Sequence, residues 1–183
     1  MEQLSSERLT IRSFMPEDGE DLYDYLSREE VVRYEPYRVF TRELAIDEAA
    51  RRAGQECFLA VCLKSKEGLR EKVIGNLYFE RQDAADIALW ELGYVFNSQY
   101  QGMGYAEEAC KTLLAHAFSR MDVHRVEAKC NPDNSPSWRL LERLGFRREG
   151  HLIQNVYFWC DDSGAPIWQD TYEYGLLKED FNN

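Results

Sequence analysis

Hydrophobic and polar residues alternate with different periods along this chain, and the changes of period lay out its elements. From Arg8 to Phe14, Leu9, Ile11 and Ser13 alternate with Thr10 and Arg12, the pattern of a half-buried strand. Pro16 then opens a helix with Glu17 and Asp18 in its first turn, where acids suit the helix dipole. Thr41 stands where it can cap a second helix, with Ala45, Ile46, Ala49, Ala50 and Ala53 along one face. Three strand-like runs follow, Glu56–Lys64, Lys72–Glu80 and Ile87–Asn97, joined by polar turns around Lys66-Glu67-Gly68 and Gln82-Asp83-Ala84. Helical spacing returns from about Gly104 to Met121, through Ala106, Ala109, Leu113, Leu114, Ala117 and Phe118. A strand His124–Cys130 and a helix Ser135–Leu144 come next, the helix ended by Gly145 in a C-capping role. Two last strands, about Phe146–Trp159 and Ile167–Leu177, flank the turn Asp161-Asp162-Ser163-Gly164.

The order is β-α-α-β-β-β-α-β-α-β-β. Strands joined by short turns, with helices between others, predict an α+β fold: a mixed, mostly antiparallel central sheet with flanking helices. No repeat or long Pro/Gly/Ser linker divides the 183 residues, so a single domain over 1–183 is expected.

Composition narrows the function. The net charge of −11 argues against a general nucleic-acid role, which draws affinity from Lys and Arg meeting phosphate. An acidic surface attracts cationic partners, amines among them, and equally serves plain solubility. Five cysteines include no Cys-x-x-Cys pair, and three histidines show no ligand spacing, so no metal is expected. No apolar run approaches the ~20 residues of a membrane helix. The first residues, Met1 to Glu7, lack the regions of a signal peptide, which points to the cytoplasm.

The most informative segment is Phe96-Asn97-Ser98-Gln99-Tyr100-Gln101-Gly102-Met103-Gly104-Tyr105-Ala106, an apolar strand running through glycines into an amphipathic helix. Free N–H groups at a helix N-terminus bind anions, and glycines let the main chain approach a phosphate closely. Taken alone, Gly102 and Gly104 are equally well read as turn glycines. With its flanks, however, the segment resembles the GNAT superfamily of acetyltransferases, whose signature is Gln/Arg-x-x-Gly-x-Gly/Ala. The register starting at Gln101 places Ala106 at the helix start as in that family; a shifted register from Gln99 also fits. The resemblance continues through Asn131-Pro132-Asp133-Asn134-Ser135-Pro136-Ser137 and Leu141-Glu142-Arg143-Leu144-Gly145-Phe146. Together with Glu91-Leu92-Gly93-Tyr94 and Tyr172-Glu173-Tyr174-Gly175-Leu176, it looks like the branch holding the ribosomal-protein N-terminal acetyltransferases.

The resemblance implies acetyl-coenzyme A as co-substrate and a primary amine as acceptor, on a protein N-terminus or a small molecule. It implies that Gln101, Gly102, Met103, Gly104, Tyr105 and Ala106 bind the pyrophosphate, and that the main chain at Phe96 and Asn97 meets the pantetheine arm. Asn134 is implied as a cofactor contact or a helix N-cap. Many members carry a tyrosine that protonates the leaving sulfur; here that place is Leu141. In the resembled branch a serine is proposed for the task, here Ser137, which also suits a backbone-bonding role in a first helical turn. Glu91 faces away from Trp90, Leu92, Tyr94 and Phe96, beside Gly93, and is the candidate base for the amine or else a solvated strand residue. Glu30, Tyr34, Glu35 and Tyr37 are candidates to shape the acceptor pocket, exposed loop polarity being the other reading. Tyr157, Trp159 and Trp168 read as core or sheet-face aromatics, and His124 and His151 as structural. The missing tyrosine leaves a second function open, an acyl-coenzyme A sensor or scaffold without turnover. An exposed strand edge near the C-terminus would allow a homodimer.

Overall fold

The computed structural model describes residues 2–65, 70–82 and 87–181. The strands are β1 (Leu4–Ser5), β2 (Leu9–Ser13), β3 (Phe58–Leu63), β4 (Lys72–Arg81), β5 (Leu89–Phe96), β6 (Arg125–Cys130), β7 (Arg147–Cys160) and β8 (Pro166–Leu177). They form one sheet in the order β1-β2-β3-β4-β5-β6-β8-β7. Every pairing is antiparallel except β5 with β6. The helices are α1 (Gly19–Leu26), α2 (Glu29–Val32), α3 (Arg42–Ala53), α4 (Tyr105–Arg120), α5 (Ser135–Arg143) and α6 (Lys178–Phe181). The mixed, mostly antiparallel α+β sheet expected from the sequence is present. The elements β1, α2 and α6 are too short to leave a periodic signal. The turns expected at 66–68 and 83–84 lie outside the described residues.

From β3 to β5 the sheet is covered on both faces, whereas β7 is largely exposed. On one face α4 and α5 cover Leu9, Ile11, Ile74, Leu77, Leu92, Phe96 and Val126. On the other, α1 and α3 bring Leu22, Tyr25, Leu26, Ala45 and Ala49 against Ala60, Cys62, Val73 and Val95. The strand at Arg8–Phe14 is therefore more than half buried, a correction to the alternation reading. Thr10 is buried with its hydroxyl satisfied, donating to Glu71 at 2.8 Å. Arg12 makes a two-pronged pair with Asp18 at 2.7 and 2.9 Å.

Asp18 consequently does something other than complement a dipole. Pro16–Asp18 is a 3₁₀ turn leading into α1, and the fully buried Asp18 carboxylate also accepts from the Met15 N–H at 2.8 Å. Burial alone would raise its pKa, yet the Arg12 bonds and the Met15 amide outweigh that and hold it below the usual carboxylate range. Thr41 caps α3 as expected, its hydroxyl oxygen accepting from Leu44 N–H at 3.2 Å. Gly145 (φ +89°) ends α5: its N–H reaches Glu142 O and the Phe146 N–H reaches Leu141 O, the paired bonds of a Schellman cap.

Gly75 on β4 lies opposite Phe96 on β5. A β-carbon there would sit 2.6 Å from both the Phe96 ring and the Val95 carbonyl oxygen. One of those neighbours is main chain and cannot swing away. Gly75→Ala is expected to lower stability by roughly 1–3 kcal/mol, the usual cost of overpacking a core, read as a fall in midpoint on chemical denaturation.

Candidate active site

Strands β5 and β6 pair only from Leu89 to Glu91 on one side and Arg125 to Glu127 on the other. Beyond that they part, each keeping its outer partner, β4 and β8 respectively. The Asn97 N–H donates to Ile74 O on β4, so alternation along the strand turns the N–H groups of Tyr94 and Phe96 the other way, into the gap. The gap opens into a cleft of ≈ 1370 Å³. It is walled by the starts of α4 and α5, by 30–36 and by Asn155, Val156 and Phe158 of β7.

At one end lies the glycine loop. Asn97 Oδ1 accepts from Gln99 N–H at 3.0 Å, closing the 3₁₀ turn Ser98–Tyr100. Gly102 and Gly104 then take φ of +75° and +80°, conformations that favour glycine, and Gly104 is the N-cap residue of α4. The first helical amide to find a partner is Glu108 N–H, on Gly104 O at 3.0 Å. The N–H groups of the preceding turn are unused within the helix, and Gly104, Tyr105, Ala106 and Glu107 line the cleft there. Such a terminus fits a pyrophosphate. The loop is held from outside by Arg8, which donates to Met103 O at 3.0 Å and to Glu108 at 2.6 Å and lies 4.3 Å from the Tyr105 ring centre. Neither Arg8 nor the cleft-lining Arg143, paired with Glu107 at 3.1 Å, carried a sequence signal.

Further along, Asn134 Oδ1 accepts from Ser137 N–H at 3.3 Å, so Asn134 caps α5 and also lines the cleft. Ser137 Oγ stands 2.9 Å from Tyr94 Oη, which also donates to Ser137 O at 3.0 Å. Burial pushes the Tyr94 hydroxyl well above its ordinary pKa, keeping it neutral. The Cys130 thiol lines the same wall and is pushed up to about 11 by burial, with the nearby Ser137 hydroxyl opposing. Leu141, where the commoner pattern has tyrosine, is buried.

On the opposite face of the sheet Glu91 lines the cleft, 3.6 Å from Lys129 Nζ on β6. Glu173 of β8 lies across from Lys129 and lines it too. Glu30 accepts from Ser98 Oγ at 2.9 Å, and Tyr34 Oη donates to Asp133 O at 3.2 Å. The segment between α1 and α3 is thereby tied to the far ends of both parted strands. Loss of water raises the Glu35 carboxyl to about 7, opposed by the Tyr37 hydroxyl and the charge of Arg52.

Three candidates are placed differently from the sequence reading. Asn97 turns its amide away from the cleft to Asp24 at 3.0 Å, and β4 takes its N–H, so Phe96 and Tyr94 are left to face the gap. Met103 is an exposed side chain whose carbonyl is occupied by Arg8. Tyr37 packs edge-on against Phe40 over the α1/α3 core rather than walling the pocket. Gln101, Gly102, Gly104, Tyr105, Ala106, Asn134, Ser137, Phe96, Glu91, Glu30, Tyr34 and Glu35 all line the one cleft. Tyr157 and Trp168 stack edge-on on the exposed part of the β7–β8 hairpin, Trp159 lies under Arg38, and His151 bonds Asp170. Among the described residues no cluster of His, Cys, Asp or Glu is arranged for a metal, and no helix is long and apolar enough to cross a membrane.

The cleft is thus built on a parted parallel strand pair, with a glycine-opened helix at the end of one of the two strands. The family model described as "Acetyltransferase (GNAT) domain" matches residues 8–147, and the chain belongs to that family of N-acetyltransferases. It is 34% identical over 180 residues to an uncharacterized N-acetyltransferase, YnaD, of Bacillus subtilis, covering 98% of this chain and 99% of that one. A GNAT-family acetyltransferase from Bacillus anthracis superposes with a TM-score of 0.84 at 32% identity, over 97% of this chain and 99% of the other. A ribosomal-protein-S5-alanine acetyltransferase from Vibrio fischeri shares the fold, with a TM-score of 0.76 at 21% identity over 99% of each chain.

Glu35 supplies a pH test. Its folded-state pKa is raised, so its contribution to stability is complete below about 4.5 and is lost as pH rises through about 7. Wild-type protein should lose roughly 1–3 kcal/mol of stability across that window from this group. Glu35→Gln should flatten that slope, measured as unfolding midpoint against pH; an identical slope in the variant would show that Glu35 is not held out of water.

Proposed function

We propose that the protein transfers the acetyl group of acetyl-coenzyme A to a primary amine by direct attack within a ternary complex. The observation that carries this reading is that free α4 amides, the inward N–H groups of β5 and the Ser137 hydroxyl all line one cleft. The pyrophosphate would rest on the N–H groups of Gly102, Gly104, Tyr105 and Ala106, with Arg143 nearby to balance its charge. Main-chain N–H groups at Phe96 and Tyr94 are the donors on hand for a thioester oxygen, and fixed donors there stabilise the charge that develops on attack. Ser137 meets the leaving sulfur as a hydrogen-bond donor.

The amine enters from the opposite face of the sheet. Glu30, Glu35, Glu91 and Glu173 line that half, against Lys129 and Arg33, so the site favours a cationic acceptor. Glu91, 3.6 Å from Lys129, is placed to draw a proton from the amine through a bridging water. An α-amine, with a reference pKa of ~7.7–8.0, needs less of that help than a lysine side chain at ~10.4. The lower basicity favours a protein N-terminus, and the acidic lining suits a small polyamine as well. A second reading rests on Leu141: without a tyrosine there, the fold would bind acyl-coenzyme A as a sensor or scaffold and turn nothing over.

The deciding experiment is thiol release from acetyl-coenzyme A against N-terminal peptides, lysine peptides, polyamines and aminoglycosides. Turnover with one class supports the transferase and identifies its acceptor; tight cofactor binding with silence across the panel supports the sensor. Gly104→Glu would set a carboxylate among phosphates and weaken coenzyme A binding by more than about tenfold. Calorimetry showing unchanged affinity would refute the loop assignment. Ser137→Ala should lower kcat by about tenfold or more with cofactor affinity retained.

A further inference from the structure

We propose that Tyr94 is a positioning residue that switches the Ser137 hydroxyl from hydrogen-bond acceptor to donor as the thioester breaks, a role resting on the transferase reading above. The argument is a count of hydrogens. Tyr94 Oη is within 3.0 Å of Ser137 O and 2.9 Å of Ser137 Oγ. A tyrosine hydroxyl has one hydrogen, and the carbonyl can only accept. When that hydrogen goes to the carbonyl, the Oγ contact runs from Ser137 to Tyr94, the weakly accepting Cys130 thiol being the other group beside the serine, and Ser137 shows lone pairs to the cleft. When Tyr94 turns its hydrogen to Ser137 Oγ, the serine hydrogen is released and can point at a sulfur.

The flip moves no heavy atom. It matters only at the moment when the amine nitrogen forms its bond to the carbonyl carbon and the C–S bond breaks with its electron pair left on sulfur. Ser137 then donates to the electron-rich sulfur, and Tyr94 donates to Ser137, so the two hydroxyls reinforce one another. The proton shed by the attacking nitrogen leaves through water on the Glu91 side, and coenzyme A departs as thiolate. Because burial keeps Tyr94 neutral, it serves as a donor in this chain and is no source of a transferred proton. The same pair also fastens β5 to α5 across the gap where the β5–β6 ladder has ended.

The test is a two-by-two set: wild type, Tyr94→Phe, Ser137→Ala and the double variant, each assayed for kcat, KM for acetyl-coenzyme A and unfolding midpoint. Tyr94→Phe keeps the ring and is expected to lower kcat by about fivefold, the worth of one neutral hydrogen bond, with KM unchanged. In the Ser137→Ala background the same substitution should cost nothing more, since Tyr94 acts only through that hydroxyl. An equal loss in both backgrounds, or a raised KM, would mean that Tyr94 merely holds α5 in place and would overturn the role. Full activity of Tyr94→Phe would overturn it as well. Silence of the wild type toward every amine is a different failure, that of the transferase reading itself.

Discussion

Everything at the candidate site depends on two parallel strands that stop pairing after three residues. A backbone edge left open inside a fold is costly, because each unpaired N–H or carbonyl forfeits a partner. Here the open edges of β5 and β6 face a cleft, where water or a ligand can satisfy them. The parting also decides which groups meet. The start of α4 follows β5, the start of α5 follows β6, and each helix lies on the same face of the sheet. The acidic side chains on the opposite strand face line the other half of the cleft.

The parted strands are held at a set spacing by contacts that are not part of the sheet. Tyr94 joins β5 to the first turn of α5, while Ser98–Glu30 and Tyr34–Asp133 tie the segment around α2 to both strand ends. These contacts give that segment a fixed position although it contains little regular structure. Burial of Glu35 beneath it is a consequence, since a segment pressed onto the sheet excludes water from its own carboxylate.

Much of this was legible in the chain itself. Strand and helix periods gave the element order, and glycines after an apolar strand marked the loop, because positive φ restricts which residues can stand there. Caps at Thr41, Asn134 and Gly145 were readable for the same local reason. Long-range partnership was not. Arg8 carries no motif, yet it holds the loop; Asp18 read as a dipole residue, yet it closes a buried pair with Arg12. Asn97 and Tyr37 lie beside true cleft residues in sequence, but strand alternation and core packing turn them elsewhere. Tyr94 looked like one more inward strand aromatic, and only the position of α5 gives its hydroxyl a meaning.

The contacts of Arg8 bear on how the glycine loop comes into being. Its guanidinium bridges 95 residues to Met103 and 100 to Glu108, and Ser6 reaches Glu108 over 102. Contacts of such sequence separation form late, after the entropy of closing a long loop has been met. The glycines permit the loop's shape, but the turn between β1 and β2, far earlier in the chain, imposes it. The hexapeptide Gln101–Ala106 grafted onto another scaffold would thus carry the flexibility of this site without its form: the motif is local in sequence and global in origin.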